Sequence, residues 1–285
     1  MTQQRNSAHD MKNETFHITE EKNKVNKLLV DNNFQQIDFT QYDDNEIHFL
    51  FDLFLHDKIN ETDNGKLLLQ IGRYFHLYND YENAEKYYLL SNEKGNITSL
   101  YNLGFYYEEL KNYENMMKYY LMAIEKGDAM SMNNLGYYYE RQRDYENMMK
   151  YYLMAIEKEN TYAMNNLGNY YKKQKDYENM KKYYLMSIEK LNTSSMINLG
   201  NYYEKQKDYE NMMKYYLMAI EKGDSIAMFK VGNYYEKQKD YENMIKYYLM
   251  AIEKGDMDAM NHLGLYYKKQ KSTIIKQICN RISNC

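Results

Sequence analysis

An apolar residue followed by glycine recurs at Ile71-Gly72, Leu103-Gly104, Leu135-Gly136, Leu167-Gly168, Leu199-Gly200, Val231-Gly232 and Leu263-Gly264, each glycine 32 residues after the last. A fixed period of this length marks a repeat architecture. One unit cannot bury its own apolar face and must stack on its neighbours. Six units are complete, and a seventh breaks off after Lys271.

Each unit reads as two helices. Across Ala129 to about Arg141, Met132, Leu135, Gly136 and Tyr139 fall at helical spacing on one face. A short polar turn leads to Asp144, whose carboxylate can accept the unpaired amides of a helix start. The same residue recurs at Asp80, Asp176, Asp208 and Asp240. The second helix runs to about Lys158 with Met148, Tyr152 and Ala155 as its inner stripe. Gly127, Gly223 and Gly255 follow equivalent helices and fit a left-handed terminus. Asp128, Asn160, Asn192, Asp224 or Asp256 then opens the next unit. Glycine inside a helix costs ~1 kcal/mol relative to alanine, so the recurring glycine must serve packing. The reading is close helix approach, with a small residue such as Ala155 or Ser187 opposite.

Asn166-Leu167-Gly168-Asn169, Tyr171, Gln174, Asp176-Tyr177 and Tyr183-Tyr184 resemble the tetratricopeptide pattern in order and spacing. Tyr119-Tyr120 and Ala123 to Asp128, through Leu135-Gly136, look more like the joint of the related Sel-one-like repeats. The period is shorter than the ~34 residues of the tetratricopeptide, and the insertion usual between Sel-one-like helices is missing. The resemblance covers residues 63–271. It implies an all-α fold, a right-handed α-solenoid of tandem antiparallel helix pairs, and a scaffold or adaptor that holds a protein or peptide in a concave groove. The composition is also similar to that of repeat proteins encoded by giant DNA viruses of protists, which would place the chain in a host cytoplasm.

Flanking segments differ. Residues 1–18 are polar and patternless and are expected to be disordered. Residues 19–62 carry two apolar clusters, Val25 to Val30 and Ile47 to Phe54, expected to form a helical cap on the first repeat. Residues 272–285 replace the expected second helix with an amphipathic stripe, Ile274, Ile275, Ile278 and Ile282, expected to be a C-terminal capping helix.

Composition narrows the function. Proline and tryptophan are absent, while 36 tyrosines and many asparagines fit either an A/T-rich genome or selection. A net charge of −4 argues against a dedicated nucleic-acid binder. No stretch is apolar enough to span a bilayer, and the polar start lacks the apolar core of a signal peptide. Cys279 and Cys285 cannot build a zinc site, and their scarcity suits a reducing compartment, so a cytoplasmic protein is expected. The six histidines stand apart from one another and from cysteine. With no nucleophile elbow or phosphate loop either, the sequence predicts no cofactor, no metal and no enzyme. Glu125, Glu157, Glu189, Glu221 and Glu253 read as exposed helix charges. Tyrosine pairs such as Tyr138-Tyr139 and Tyr151-Tyr152 read chiefly as packing between helices.

The first helices vary where the second helices are nearly identical. One varying position reads Leu69, Tyr101, Asn133, Asn165, Ile197, Phe229 and Asn261, and the next reads Gln70, Asn102, Asn134, Asn166, Asn198, Lys230 and His262. Asn169, Asn201 and Asn233 follow, then Lys173, Lys205, Lys237 and Lys269. Drift at an unconstrained surface explains this as well as selection does. As a functional face, the asparagines would hold an extended peptide through a donor and an acceptor each, and the lysines would favour an acidic peptide. Some tetratricopeptide domains clamp a terminal carboxylate. The resemblance implies that Asn169, Asn198 and Lys230 match part of that set, but Asn165 and Ile226 stand where further basic residues would be needed. A different class of function is a tether to anionic membrane or nucleic acid through Lys268, Lys269, Lys271, Lys276 and Arg281.

Overall fold

The computed structural model describes residues 65–77 and 79–283, and for 67, 74, 77 and 272–283 the backbone alone. The expectations for 1–18 and for 19–62 lie outside the described residues. Thirteen helices and no strand are found among them. They are α1 (Gly65–Leu77), α2 (Tyr81–Glu93), α3 (Thr98–Glu109), α4 (Tyr113–Glu125), α5 (Ala129–Gln142), α6 (Tyr145–Glu157) and α7 (Thr161–Lys173). After these come α8 (Tyr177–Glu189), α9 (Thr193–Gln206), α10 (Tyr209–Glu221), α11 (Ser225–Gln238), α12 (Tyr241–Glu253) and α13 (Met257–Ser283). The fold is all-α, a tandem array of helix pairs of the solenoid class. It falls into two compact units divided inside α5, between Leu135 and Gly136.

The helix ends follow from their caps. Asp144, Asp176, Asp208 and Asp240 each accept from the backbone N–H of the asparagine three residues on, at 3.1–3.2 Å. Each also accepts from that asparagine's side chain, at 2.7–2.8 Å. Asn112 fills the corresponding place before α4. Asp128, Asn160, Asn192, Asp224 and Asp256 cap the first helices at 2.6–3.0 Å. Gly127, Gly223 and Gly255 have φ of +86°, +80° and +84°, the left-handed terminus expected of them. Glu159 and Leu191 hold the same place with φ of 59° and 64°.

Those caps carry a pH dependence. The asparagine side chain, then its backbone N–H, holds the carboxyls of Asp144, Asp176, Asp208 and Asp240 below their ordinary value of 3.8. A carboxyl depressed in the folded state stabilises above its unfolded pKa, and that stabilisation is lost as pH falls through the folded value. Melting temperature recorded from neutral pH to below 4 should therefore drop steeply at the acid end. Asp208→Asn, which keeps an acceptor but no titrating charge, should show a shallower drop. An acid limb unchanged in that variant would remove the cap from this account.

Packing within the second unit explains the recurring glycine. Gly200 and Gly232 are buried, and a Cβ at either would lie 2.5 Å from the ring of Tyr216 or Tyr248. Gly168 stands in the same relation to Tyr184, at 2.6 Å. A tyrosine ring from the second helix thus closes directly on the glycine backbone of the first. This corrects the expectation that Ala155 or Ser187 sits opposite the glycine. Both are fully buried, but Ser187 spends its hydroxyl on the carbonyl of Thr161 at 2.9 Å. Gly264 meets nothing within 4 Å, and among the described residues no second helix packs back onto it.

Further tyrosines pack between the same helices. Tyr171 stacks on Tyr183 and Tyr203 on Tyr215, with centroids 5.5 and 5.7 Å apart and planes within 5°. Tyr170 and Tyr202 pack instead on Tyr145 and Tyr177, at the start of the preceding second helix. Packing between helices therefore accounts for both members of each pair. Around Tyr216 the core comprises Met180, Tyr184, Met196, Leu199, Met212, Ala219, Ala227 and Val231.

The C-terminal end differs from a helix pair. Its backbone is one helix from Met257 through Ser283, so 272–285 does not begin as a separate element. The physical reason lies in the sequence: after Lys271 neither glycine nor an Asp-Tyr start interrupts the helix. No helix among the described residues is long and apolar enough to cross a membrane.

Candidate functional site

The first helices of the second unit present one face whose side chains sort by position. Just before the apolar–glycine pairs stand Asn166, Asn198, Lys230 and His262, and just after them Tyr137, Asn169, Asn201 and Asn233. Four residues after the glycine come Glu140, Lys172, Glu204 and Glu236, and one further on Arg141, Lys173, Lys205 and Lys237. In a helix, residues three and four apart share a face, so these rows lie together.

The floor of this face is built from the second helices. The fully buried tyrosines push their hydroxyls through to it. Tyr216 reaches Asn201 Oδ1 at 2.8 Å and Glu204 Oε2 at 3.1 Å. Tyr248 reaches Asn233 Oδ1 at 2.6 Å and Glu236 Oε2 at 2.7 Å, and Tyr152 reaches Glu140 Oε2 at 3.0 Å. Burial pushes the phenols of Tyr152, Tyr184, Tyr216 and Tyr248 well up, so they stay protonated and donate. A phenol has one proton to give. Where a carboxylate is in reach, the carboxylate is the stronger acceptor. Tyr184 has none and gives its proton to Asn169 Oδ1 at 2.7 Å.

That oxygen also takes the amide of Asn198 at 3.4 Å, and Asn198 bonds Asn165 Oδ1 at 3.0 Å. The asparagines therefore hold one another, and around Asn169 their acceptors are consumed from within. What Asn165 and Asn169 have left is their amide N–H groups, and lysine ammoniums stand beside Asn169 in the same cleft. The expectation that each asparagine offers a partner both a donor and an acceptor does not hold at Asn165 and Asn169.

Two clefts open on the face. The larger, about 590 Å³, is lined by Tyr137, Glu140, Asn166, Asn169, Lys172, Lys173, Lys175, Tyr177, Tyr202, Lys205 and Gln206. The other, about 410 Å³, is lined by Glu204, Lys230, Asn233, Glu236, Lys237 and His262. The structure thus brings Asn166, Asn169, Lys173 and Lys205 into one cleft, and Lys230, Asn233 and Lys237 into another. Asn198 is half-buried beside Asn169. Asn133 and Asn134 belong to the first unit. Asn133 is buried and donates to Asn134, which reaches the hydroxyl of Tyr120. Sequence reasoning passed over Lys172, Lys175, Tyr137 and Tyr177. A signal for Lys172 was available, because it breaks a column of glutamates spaced 32 residues apart. No group of three or more metal-ligating side chains occurs among the described residues.

Stacked helix pairs that leave one polar, cleft-bearing face of first helices uncovered define a helical repeat protein of the interaction class. The chain belongs to the tetratricopeptide repeat family, whose profile matches at residues 97–125, 130–157, 161–189, 193–221 and 226–253. No curated protein matches the sequence. Among solved structures it is similar to a Sel1 repeat protein from Oxalobacter formigenes, at 21% identity and TM-score 0.57 over 70% of this chain and 93% of that one. It is also similar to c5321, described as a protective antigen of uropathogenic Escherichia coli strains with an SLR fold. There the identity is 20% and the TM-score 0.52, over 90% of this chain and 58% of the other. Pseudomonas aeruginosa pilF matches at 16% identity and TM-score 0.51, over 71% of this chain and 97% of that one. At such identities the likeness is one of fold.

Proposed function

We propose that the protein is a non-catalytic, cytoplasmic scaffold that holds an acidic peptide segment of a partner protein on the first-helix face of its second unit. The observation that carries this reading is the donor bias of that face. The side-chain oxygens of Asn165 and Asn169 are satisfied internally, while Lys172, Lys173 and Lys205 line the cleft that holds Asn169. A surface of donors favours acceptor-rich ligands, and an acidic peptide supplies carboxylates as well as backbone carbonyls. A binding role is also supported by the second helices, whose buried tyrosines Tyr184, Tyr216 and Tyr248 are spent on packing and leave the first helices to present the polar face.

The test is affinity capture with the full chain, wild type beside the triple variant Asn169→Ala, Asn198→Ala, Lys230→Ala, followed by titration of the purified captured partner. Binding should weaken by at least ~10-fold in the variant, the loss expected for several charged and polar contacts of ~1 kcal/mol or more removed together. Circular dichroism should remain helical in both. Equal affinity for wild type and variant would place the binding surface elsewhere.

A further inference from the structure

Four of the first helices place a glutamate four residues after the glycine: Glu108, Glu140, Glu204 and Glu236. Each accepts a hydrogen bond from the buried tyrosine of its own repeat, at 2.7–3.1 Å. In the second unit the glutamate also serves the next repeat. Lys173 reaches Glu140 at 2.7 Å and Lys237 reaches Glu204 at 3.1 Å, each from a lysine 33 residues further along. In the repeat of α7 the glutamate is replaced by Lys172.

That single reversal changes several things at once. Lys205, which stands 33 residues after Lys172, finds an ammonium where its equivalents find a carboxylate. Tyr184 turns its proton to Asn169 instead. Burial first, and then Lys205 and Lys230, depress the pKa of Lys172, so its charge is held at a disadvantage. The cleft of about 590 Å³ opens at this point, with Lys172, Lys173, Lys175 and Lys205 on its walls. Its one acid, Glu140, is already engaged by Lys173 and Tyr152. A glutamate here would complete the ladder at no evident cost. The lysine makes sense as part of a site completed by a ligand.

We infer that the cleft around Lys172 receives a dianionic phosphoryl group, carried on a phosphorylated side chain of the bound peptide. This deepens the reading of the face as a peptide site and rests on it for the source of the phosphoryl group. Lys172, Lys175 and Lys205 have no carboxylate partner among the described residues, and Asn169 keeps its amide N–H groups for a ligand. One carboxylate would cancel a single charge of three, whereas a phosphate carries close to two charges and three acceptor oxygens. Occupancy would also restore to Lys205 the counter-charge that Glu140 and Glu204 supply to Lys173 and Lys237.

The experiment uses the full chain with inorganic phosphate, then a phosphoserine peptide library beside the same library unphosphorylated. Variants are Lys172→Glu and, as a control of equal charge change on an exposed second-helix position, Lys214→Glu. Wild type should gain melting temperature in phosphate over acetate at matched ionic strength, and should bind the phosphorylated library at least ~10-fold more tightly than its counterpart. Lys172→Glu should melt higher than wild type without phosphate, because the ladder is completed. It should also lose the phosphate-dependent gain and the preference for phosphorylated peptide. Lys214→Glu should keep both. A phosphate gain that survives Lys172→Glu, or is lost equally in Lys214→Glu, overturns the site. A phosphate response specific to Lys172, with neither library bound, keeps the anion site and removes the peptide. Peptide binding that is indifferent to phosphorylation and to Lys172→Glu does the reverse. Tighter binding of single-stranded RNA through Lys172 would overturn the assignment to a protein partner.

Discussion

Replacing Tyr216 by alanine is expected to cost ~3–5 kcal/mol, the range for removing a fully buried aromatic ring. Tyr216 has no exposed surface and sits among Met180, Tyr184, Leu199, Met212 and Ala219. Its ring lies on the backbone at Gly200, and its hydroxyl reaches Asn201 and Glu204. Truncation therefore empties the contact between α9 and α10 and removes the hydroxyl that meets Asn201 and Glu204 on the first-helix face. Each repeat is held only by its neighbours, so the loss should also erode cooperativity along the array. Denaturant unfolding of the full chain, read by circular dichroism, should show a lower midpoint and a broader transition. A shift below ~1 kcal/mol would mean that the ring is not the keystone of its layer.

The second large effect concerns the glycine beneath that ring. Alanine is the better helix former by ~1 kcal/mol, so on propensity alone Gly200→Ala should stabilise α9. Here the added methyl would sit 2.5 Å from the ring of Tyr216, closer than real Cβ contacts allow. The ring cannot retreat, because it is fully buried. Overpacking of this kind costs ~1–3 kcal/mol, so Gly200→Ala should destabilise despite its better propensity. Gly264→Ala provides the contrast, since a Cβ there meets nothing within 4 Å and should be neutral or stabilising.

The parts of this fold legible in the sequence are those that local rules set. The 32-residue period, the two helices per unit, the aspartate and asparagine caps and the left-handed Gly127, Gly223 and Gly255 all depend on residues close together in the chain. Helical periodicity also shows which face of α9 carries Gly200. It does not show what fills the space opposite, and a tyrosine ring rather than Ala155 or Ser187 does so. The direction of the buried hydroxyls was hidden for the same reason. Tyr184 starts on a second helix and emerges among first-helix asparagines, so its claim on Asn169 appears only in three dimensions. Lys172 was legible too, as the lysine that interrupts the run Glu108, Glu140, Glu204 and Glu236 from within, the same position reading His76 and Lys268 at the two ends. Asn133 fits the asparagine pattern by spacing, yet it is buried.

Function follows from that division of labour. The second helices commit their tyrosines to layer packing and leave the first helices to carry the variable polar residues. If that face binds a partner as proposed, a change on it can alter what is bound without disturbing what holds the layers together. The lysine at position 172 is tolerated on this account because Tyr184 keeps a partner in Asn169.

The interlock of ring and glycine is the claim on which the rest stands, and a double-mutant cycle between Gly200 and Tyr216 tests it most directly. With Tyr216 present, Gly200→Ala should destabilise by ~1–3 kcal/mol. In the Tyr216→Ala background the methyl has room, and the same substitution should become neutral or stabilising by up to ~1 kcal/mol. An equal cost of Gly200→Ala in both backgrounds would show that the two residues do not meet, and would contradict the packing described at Gly168, Gly200 and Gly232.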